Sequence, residues 1–219
     1  MPNKASIYTE SKAAAAGGVT TFMEMPNTRP NAVNKVELEK KYDDYEQLGS
    51  KIKCNPAIKD SHNKDALWAA LLDDRLDIIA TDHAPHTSDE KSAGYLQCPS
   101  GVPLVQHSIN IMLDAYHKGM ITKETMIEKM CHAPAECFNV IGRGYLRQGY
   151  QADIVILDPD KRWTVEKSNI YYRCNWSPLE GRSVCGQVLS TIVNGQEVYT
   201  ALDGPRLIRH PDRRLTFNR

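Results

Sequence analysis

The chain has 219 residues, 41% of them hydrophobic and 25% charged, enough apolar material for a packed core, so disorder is not the default reading. Its 27 Lys+Arg balance 27 Asp+Glu, which removes the electrostatic case for nucleic acid or an anionic membrane and favours a small molecule or another protein as partner. No apolar window approaches the roughly eighteen residues of a membrane span, and 6 dispersed cysteines without a C-x-x-C pair predict reduced thiols in a cytoplasmic protein.

In chain order, Ile7 to Ala16 is rich in Ala, Glu and Lys and stops at Gly17-Gly18, which predicts a helix closed by a glycine cap. Residues 19–25 (VTTFMEM) suit a strand, broken by the loop Pro26-Asn27-Thr28-Arg29-Pro30. A helix is expected over 36–48, a short strand over 51–54, and a helix over 61–72 with Ser61 as its N-cap. Residues 76–80 are short and mostly apolar, the pattern of a parallel strand buried on both faces. Strand-helix alternation to this point indicates an α/β fold.

Three helices are expected next, over 102–117, 123–130 and 134–140. Beyond residues 142–149 the character changes to strands, at 153–157, 188–193 and 197–199, with Asn194-Gly195 as a hairpin turn. This divides the chain into 1–141, a small β unit at 142–200, and a basic, proline-interrupted tail at 201–219.

The chemistry gathers where expected strands end. In "ATDHAPH", Asp82 follows the apolar run by two residues, at the carboxyl end where α/β proteins place their sites. An aspartate there can ligate a divalent metal and move a proton between water and a leaving group. Taken alone, the pattern is better explained by Thr81 and Asp82 capping the next segment, with His83 and His86 as surface polar residues. "MPNTRP" holds Asn27 at a rigid turn, and "KCNPAIK" repeats the arrangement with Asn55 before Pro56. A side-chain amide can donate to a carboxylate and accept from an imide N–H. Two asparagines and one aspartate after three separate strands are what a polar pocket at one end of a barrel requires. In "CPSGVPLVQH", Gly101 either lets the backbone approach a ligand or simply turns the chain.

Taken together, "YTESKAAAAGGVTTFMEMPNTRP", "KCNPAIK", "DIIATDHAPH", "CPSGVPLVQH", "MCHAPAECF" and "GYQADIVILD…STIVNGQEVY" resemble the longer-chain class of dihydroorotases, within the amidohydrolase superfamily. Allantoinases and hydantoinases are similar in outline, and Asn27 and Asn55 favour dihydroorotase. The resemblance implies a TIM-like (β/α) barrel beside a small β-sandwich, and zinc-assisted, reversible hydrolysis of dihydroorotate to N-carbamoyl-aspartate in pyrimidine biosynthesis. It implies Asp82 as metal ligand and general acid/base. Asn27 and Asn55 would then contact substrate, His86 would hold its carboxylate, and the backbone at Ser100 and Gly101 would meet the ring.

The chain departs from that family in its metal ligands. The family's H-x-H pair occurs nowhere among the 219 residues, and at about Tyr42 "VELEKKY" runs directly into "DDYEQLG", where the resemblance implies that the middle barrel strands are missing. Zinc catalysis needs about three protein ligands and an open position for water, and Asp82 is the one that can be assigned. The expectation is a dihydroorotase relative with a partial barrel and a β-sandwich remnant, impaired or inactive alone. An alternative is a non-catalytic partner that forms a homo-oligomer or pairs with a full-length relative. Another is an allantoinase- or hydantoinase-type hydrolase.

Overall fold

Helix α1 (Ile7–Ala16) forms where its composition places it. Thr9 N–H donates to the Ser6 hydroxyl at 3.1 Å and Ser6 N–H to the Thr9 hydroxyl at 2.9 Å, so two first-turn donors are satisfied reciprocally. Ala13 to Ala16 are buried, and their short side chains let the helix lie close enough for the Thr191 hydroxyl to donate to the Ala15 carbonyl at 2.7 Å. The computed structural model describes residues 4–23, 49–55, 61–202 and 206–207. The expected helix over 36–48, Asn27 and the junction at Tyr42 lie outside the described residues.

Helix α2 (Asn63–Leu72) begins after His62 and has no side-chain cap bond, so Ser61 is not its N-cap. Helix α3 (Ser88–Ser92) is a single turn with Thr87 as N-cap. A 3-10 turn (Val105–His107) leads into α4 (Ser108–His117). The two helices expected over 123–130 and 134–140 are one rod: α5 (Lys123–Ile127) passes through a π-helical turn (Glu128–His132) into α6 (Ala133–Cys137). Among the described residues no helix is long and apolar enough to cross a membrane.

The sheet is an antiparallel meander in the order β1 (Ile154–Thr164), β2 (Ser183–Val193), β3 (Gln196–Thr200), β4 (Arg206–Leu207). Strands β1 and β2 pair from Ile154 with Ile192 to Thr164 with Ser183, interrupted by bulges. The turn between β2 and β3 puts Asn194 at φ 52° and Gly195 at φ 78°, the left-handed pair a two-residue hairpin needs. Arg143 and Asp153, both nearly buried, form an ion pair behind this turn. Asp153 accepts from the Asn194 N–H at 2.8 Å and Arg143 donates to the Asn194 side chain at 2.6 Å, so the chain before β1 is clamped to the hairpin.

Strand β2 joins three core clusters. Val184 packs with Ala13, Val105, Tyr172 and Trp176; Cys185 packs with Leu71, Met112 and Leu113; Val188 and Val193 pack with Ala15, Ala16 and Val198.

The three strands expected ahead of the candidate loops form no ladder as far as they are described. Residues 19–23 are irregular, Gly49–Ile52 is a 3-10 turn, and 76–80 are irregular. A strand exists only when a neighbour takes up its backbone groups. Around 76–80 those groups go elsewhere: Ile79 N–H to the Lys129 carbonyl at 3.0 Å, Leu76 N–H to the Ala70 carbonyl at 2.9 Å, and the Leu76 carbonyl to the buried Lys129 ammonium at 2.8 Å.

Candidate active site

Three loops converge on one another. His83 forms a parallel bridge with Val102, and Ala84 N–H donates to the Val102 carbonyl at 3.1 Å. Gly101 N–H donates to the Lys53 carbonyl at 2.8 Å, which brings in the segment ending at Asn55. Gly101 sits at φ 128°, and a Cβ there would run into the Ala84 carbonyl, so the approach of the two loops requires glycine.

Two lysines hold this junction, one of them, Lys91, outside every motif of the sequence. Lys91 is completely buried and its ammonium donates to the carbonyls of Lys53, Pro99 and Gly101 at 3.1, 3.0 and 3.0 Å. Three acceptors match its three N–H groups, which is what makes burying the charge tolerable. Burial pushes the Lys91 ammonium below its ordinary range, with Cys98 and Cys54 opposing. The Lys53 ammonium in turn donates to the carbonyls of Tyr95 and Cys98 at 2.7 and 2.8 Å. In the sequence Lys91 stands among Ser, Asp and Glu and looks like part of a solvated surface; nothing local distinguishes it.

Asp82 is exposed at this junction and takes a left-handed backbone, φ 43°, which aspartate tolerates better than most residues. Burial raises the Cys54 thiol above its ordinary range; Lys91 lowers it and the Asp82 carboxylate raises it. Asn55 is exposed. His86 Nε2–H donates to the Ser100 carbonyl at 3.0 Å, and its Nδ1 lies 2.9 Å from the Lys4 ammonium. Burial, then the charge of Lys4, pushes this imidazole below its ordinary range, with Glu90 opposing. The structure therefore gathers Asp82, His86, Ser100, Gly101 and the Asn55 segment, while Asn27 lies outside the described residues.

Among the described residues the donor set does not fit a hydrolytic zinc. Among the described residues, no group of three or more His, Cys, Asp or Glu is placed to hold a metal. His83, beside Asp82, is engaged at both ring nitrogens, with Nε2 at 2.8 Å from the Glu10 carboxylate and Nδ1 accepting the Leu104 N–H at 3.1 Å. Both nitrogens of His86 are engaged as well. His107 is buried, accepts from the Tyr172 hydroxyl at 3.1 Å through Nδ1, and has no partner at Nε2 among the described residues.

The amidohydrolase family model matches residues 54–198 of the chain. A dihydroorotase of Clostridium acetobutylicum is 39% identical over 152 residues, covering 69% of this chain and 36% of that protein. A dihydroorotase of Halobacterium salinarum is 34% identical over 197 residues, covering 88% of this chain and 44% of that protein. Among solved structures, L-hydantoinase (dihydropyrimidinase) from Arthrobacter aurescens superposes with a TM-score of 0.68 at 29% identity, over 74% of this chain and 37% of that one. The chain thus spans less than half the length of these relatives.

Proposed function

This chain belongs to the amidohydrolase family, and from that premise we propose that it carries the substrate-side corner of a dihydroorotase-type site, for reversible hydrolysis of dihydroorotate to N-carbamoyl-aspartate in pyrimidine biosynthesis. The observation that carries this reading is the convergence of the Asp82 loop, the Ser100-Gly101 turn and the Asn55 segment, fastened by Lys91. On this reading residues 1–141 derive from a TIM-like barrel, 142–200 from its companion β-sandwich, and 201–219 are a tail.

In a completed site the exposed Asp82 carboxylate would accept a proton from a water that attacks the ring amide carbon. As the carbon–nitrogen bond breaks it would deliver that proton to the leaving nitrogen, and the reverse path would close the ring. Asn27 and Asn55 offer side-chain amides to the substrate, the turn at Ser100 and Gly101 meets the ring, and the carboxylate end lies toward His86. A zinc site takes about three protein ligands, and Asp82 is the single assigned donor, so the 219-residue chain is impaired or inactive by itself.

Zinc analysis of the purified chain and of Asp82→Ala, with ring-opening and ligand-binding assays on the same samples, tests this. The expected result is binding of dihydroorotate or N-carbamoyl-aspartate without stoichiometric zinc or turnover. Zinc at one per chain that disappears with Asp82, together with turnover, refutes the impairment; absence of binding by either ligand refutes the substrate. The similarity to L-hydantoinase favours a second reading, a hydantoin as substrate, which tighter binding of a 5-substituted hydantoin than of dihydroorotate would establish.

A further inference from the structure

The hydrogen bonds at His86 reassign the group that reads the substrate's charge. A carbonyl oxygen only accepts, so the 3.0 Å contact to Ser100 fixes the proton on Nε2. Nδ1 is then a lone pair, and it accepts from the Lys4 ammonium 2.9 Å away. A neutral imidazole engaged in this way has no N–H left for a carboxylate. The backbone that carries the ring is also held, because Trp176, itself buried, donates its indole N–H to the His86 main-chain carbonyl at 2.7 Å.

Lys4 is different. Among the described residues its ammonium has one hydrogen-bond acceptor, His86, and one anionic neighbour, Glu90 Oε1, at 4.0 Å. That separation is beyond hydrogen-bonding range. The other Glu90 oxygen accepts the Thr87 N–H at 3.0 Å, so this carboxylate is tied to its own helix rather than to Lys4. Two of three ammonium hydrogens therefore remain for a ligand, and the side chain is 20% exposed.

Resting on the dihydroorotase reading above, we propose that Lys4 is the residue that binds the substrate carboxylate, with His86 as the positioning residue that aims its ammonium and Glu90 as a competing internal carboxylate. Lys4 reaches His86 from 82 residues away along the chain, and the carboxylate preference belongs to Lys4 rather than to His86.

The experiment measures binding of dihydroorotate, of dihydrouracil (the same ring without the carboxylate) and of succinate to the full 219-residue chain and to Lys4→Met, Glu90→Gln, His86→Ala and His86→Asn, each with its melting curve. The native chain is expected to prefer dihydroorotate over dihydrouracil by about tenfold, the value of one hydrogen bond to a charged group. Lys4→Met abolishes that preference without changing the melting curve, and Glu90→Gln increases it. His86→Ala reduces it, and His86→Asn, which keeps an acceptor for Lys4, retains more of it. An unchanged preference in Lys4→Met overturns the assignment while leaving the substrate reading intact. Lys4-dependent binding of succinate without any binding of dihydroorotate supports the carboxylate site and refutes the substrate reading. No binding of dihydroorotate or succinate by the native chain overturns both.

Discussion

The sheet and the site corner are built on opposite principles. In the sheet, two eleven-residue strands satisfy each other's backbone groups along a ladder; local pattern places their paired ends, 154–157 and 188–193, and the ladder itself extends them through 158–164 and 183–187. In the corner, three loops with little regular structure are fastened by side chains reaching across the sequence: Lys91 to Lys53, Pro99 and Gly101, and Lys53 to Tyr95 and Cys98. A ladder distributes its stability over many equivalent bonds. A junction pinned by one buried ammonium concentrates it in a single residue.

The sharpest way to break this contrast is Lys91→Met, which removes a charged donor from three carbonyls, of which that of Lys53 keeps the Gly101 N–H. A loss of about 4 kcal/mol is expected, as for removing a member of a buried charged network. Hydrogen exchange should accelerate at Ala84 and Gly101 while the β2 amides stay protected; equal acceleration in both would show that corner and sheet open together.

The joint between the two regions gives the next effect. Burial holds the His107 imidazole down from 6.5 to about 4, and its Nδ1 accepts from Tyr172. Below the ordinary imidazole value the unfolded chain takes up a proton that the folded chain refuses. This contribution is complete above about pH 6.5 and is lost as the pH falls toward 4, amounting to about 3 kcal/mol. Urea midpoints across that window should fall more steeply for the native chain than for His107→Gln, and equal slopes would remove His107 as the cause.

Within the corner, Gly101→Ala puts a Cβ against the Ala84 carbonyl at a backbone angle that side chains rarely adopt. It should cost about 2 kcal/mol, read as a lower denaturation midpoint and faster exchange at Ala84; unchanged exchange there would mean the loops can separate freely. In the sheet, Asn194→Ala should cost only about 1 kcal/mol, the penalty of a left-handed alanine, because Asp153 still receives the backbone N–H. A larger loss would mean that the hairpin clamp, rather than the ladder, carries the sheet.

Much of the regular structure was legible in the residues themselves. The helix at Ile7–Ala16 with its glycine stop and the Asn194-Gly195 hairpin follow from local preferences, and both are present. The long rod through the π-helical turn was legible only in pieces, because pattern does not reveal whether two helical stretches fuse. Strands were expected at 51–54 and, from its apolar run, at 76–80, yet the backbone partners are set by distant residues, Gly101 for the first and Lys129 for the second.

The site divides in the same way. Asp82, His86, Ser100 and Gly101 were recognisable as candidates because their motifs are contiguous. The sequence by itself determined which chemical groups are present: the Asp82 carboxylate, the amides and the glycine turn. Only the tertiary structure decided how they are held and what they are free to do. It buried Lys91 as the fastener, spent both nitrogens of His83 and His86 on internal partners, and left Lys4 with donors to spare. The reason is that a side chain's free hydrogen-bonding capacity is what remains after every neighbour in space has been satisfied, and such neighbours can lie far along the chain, 82 residues for Lys4 and His86.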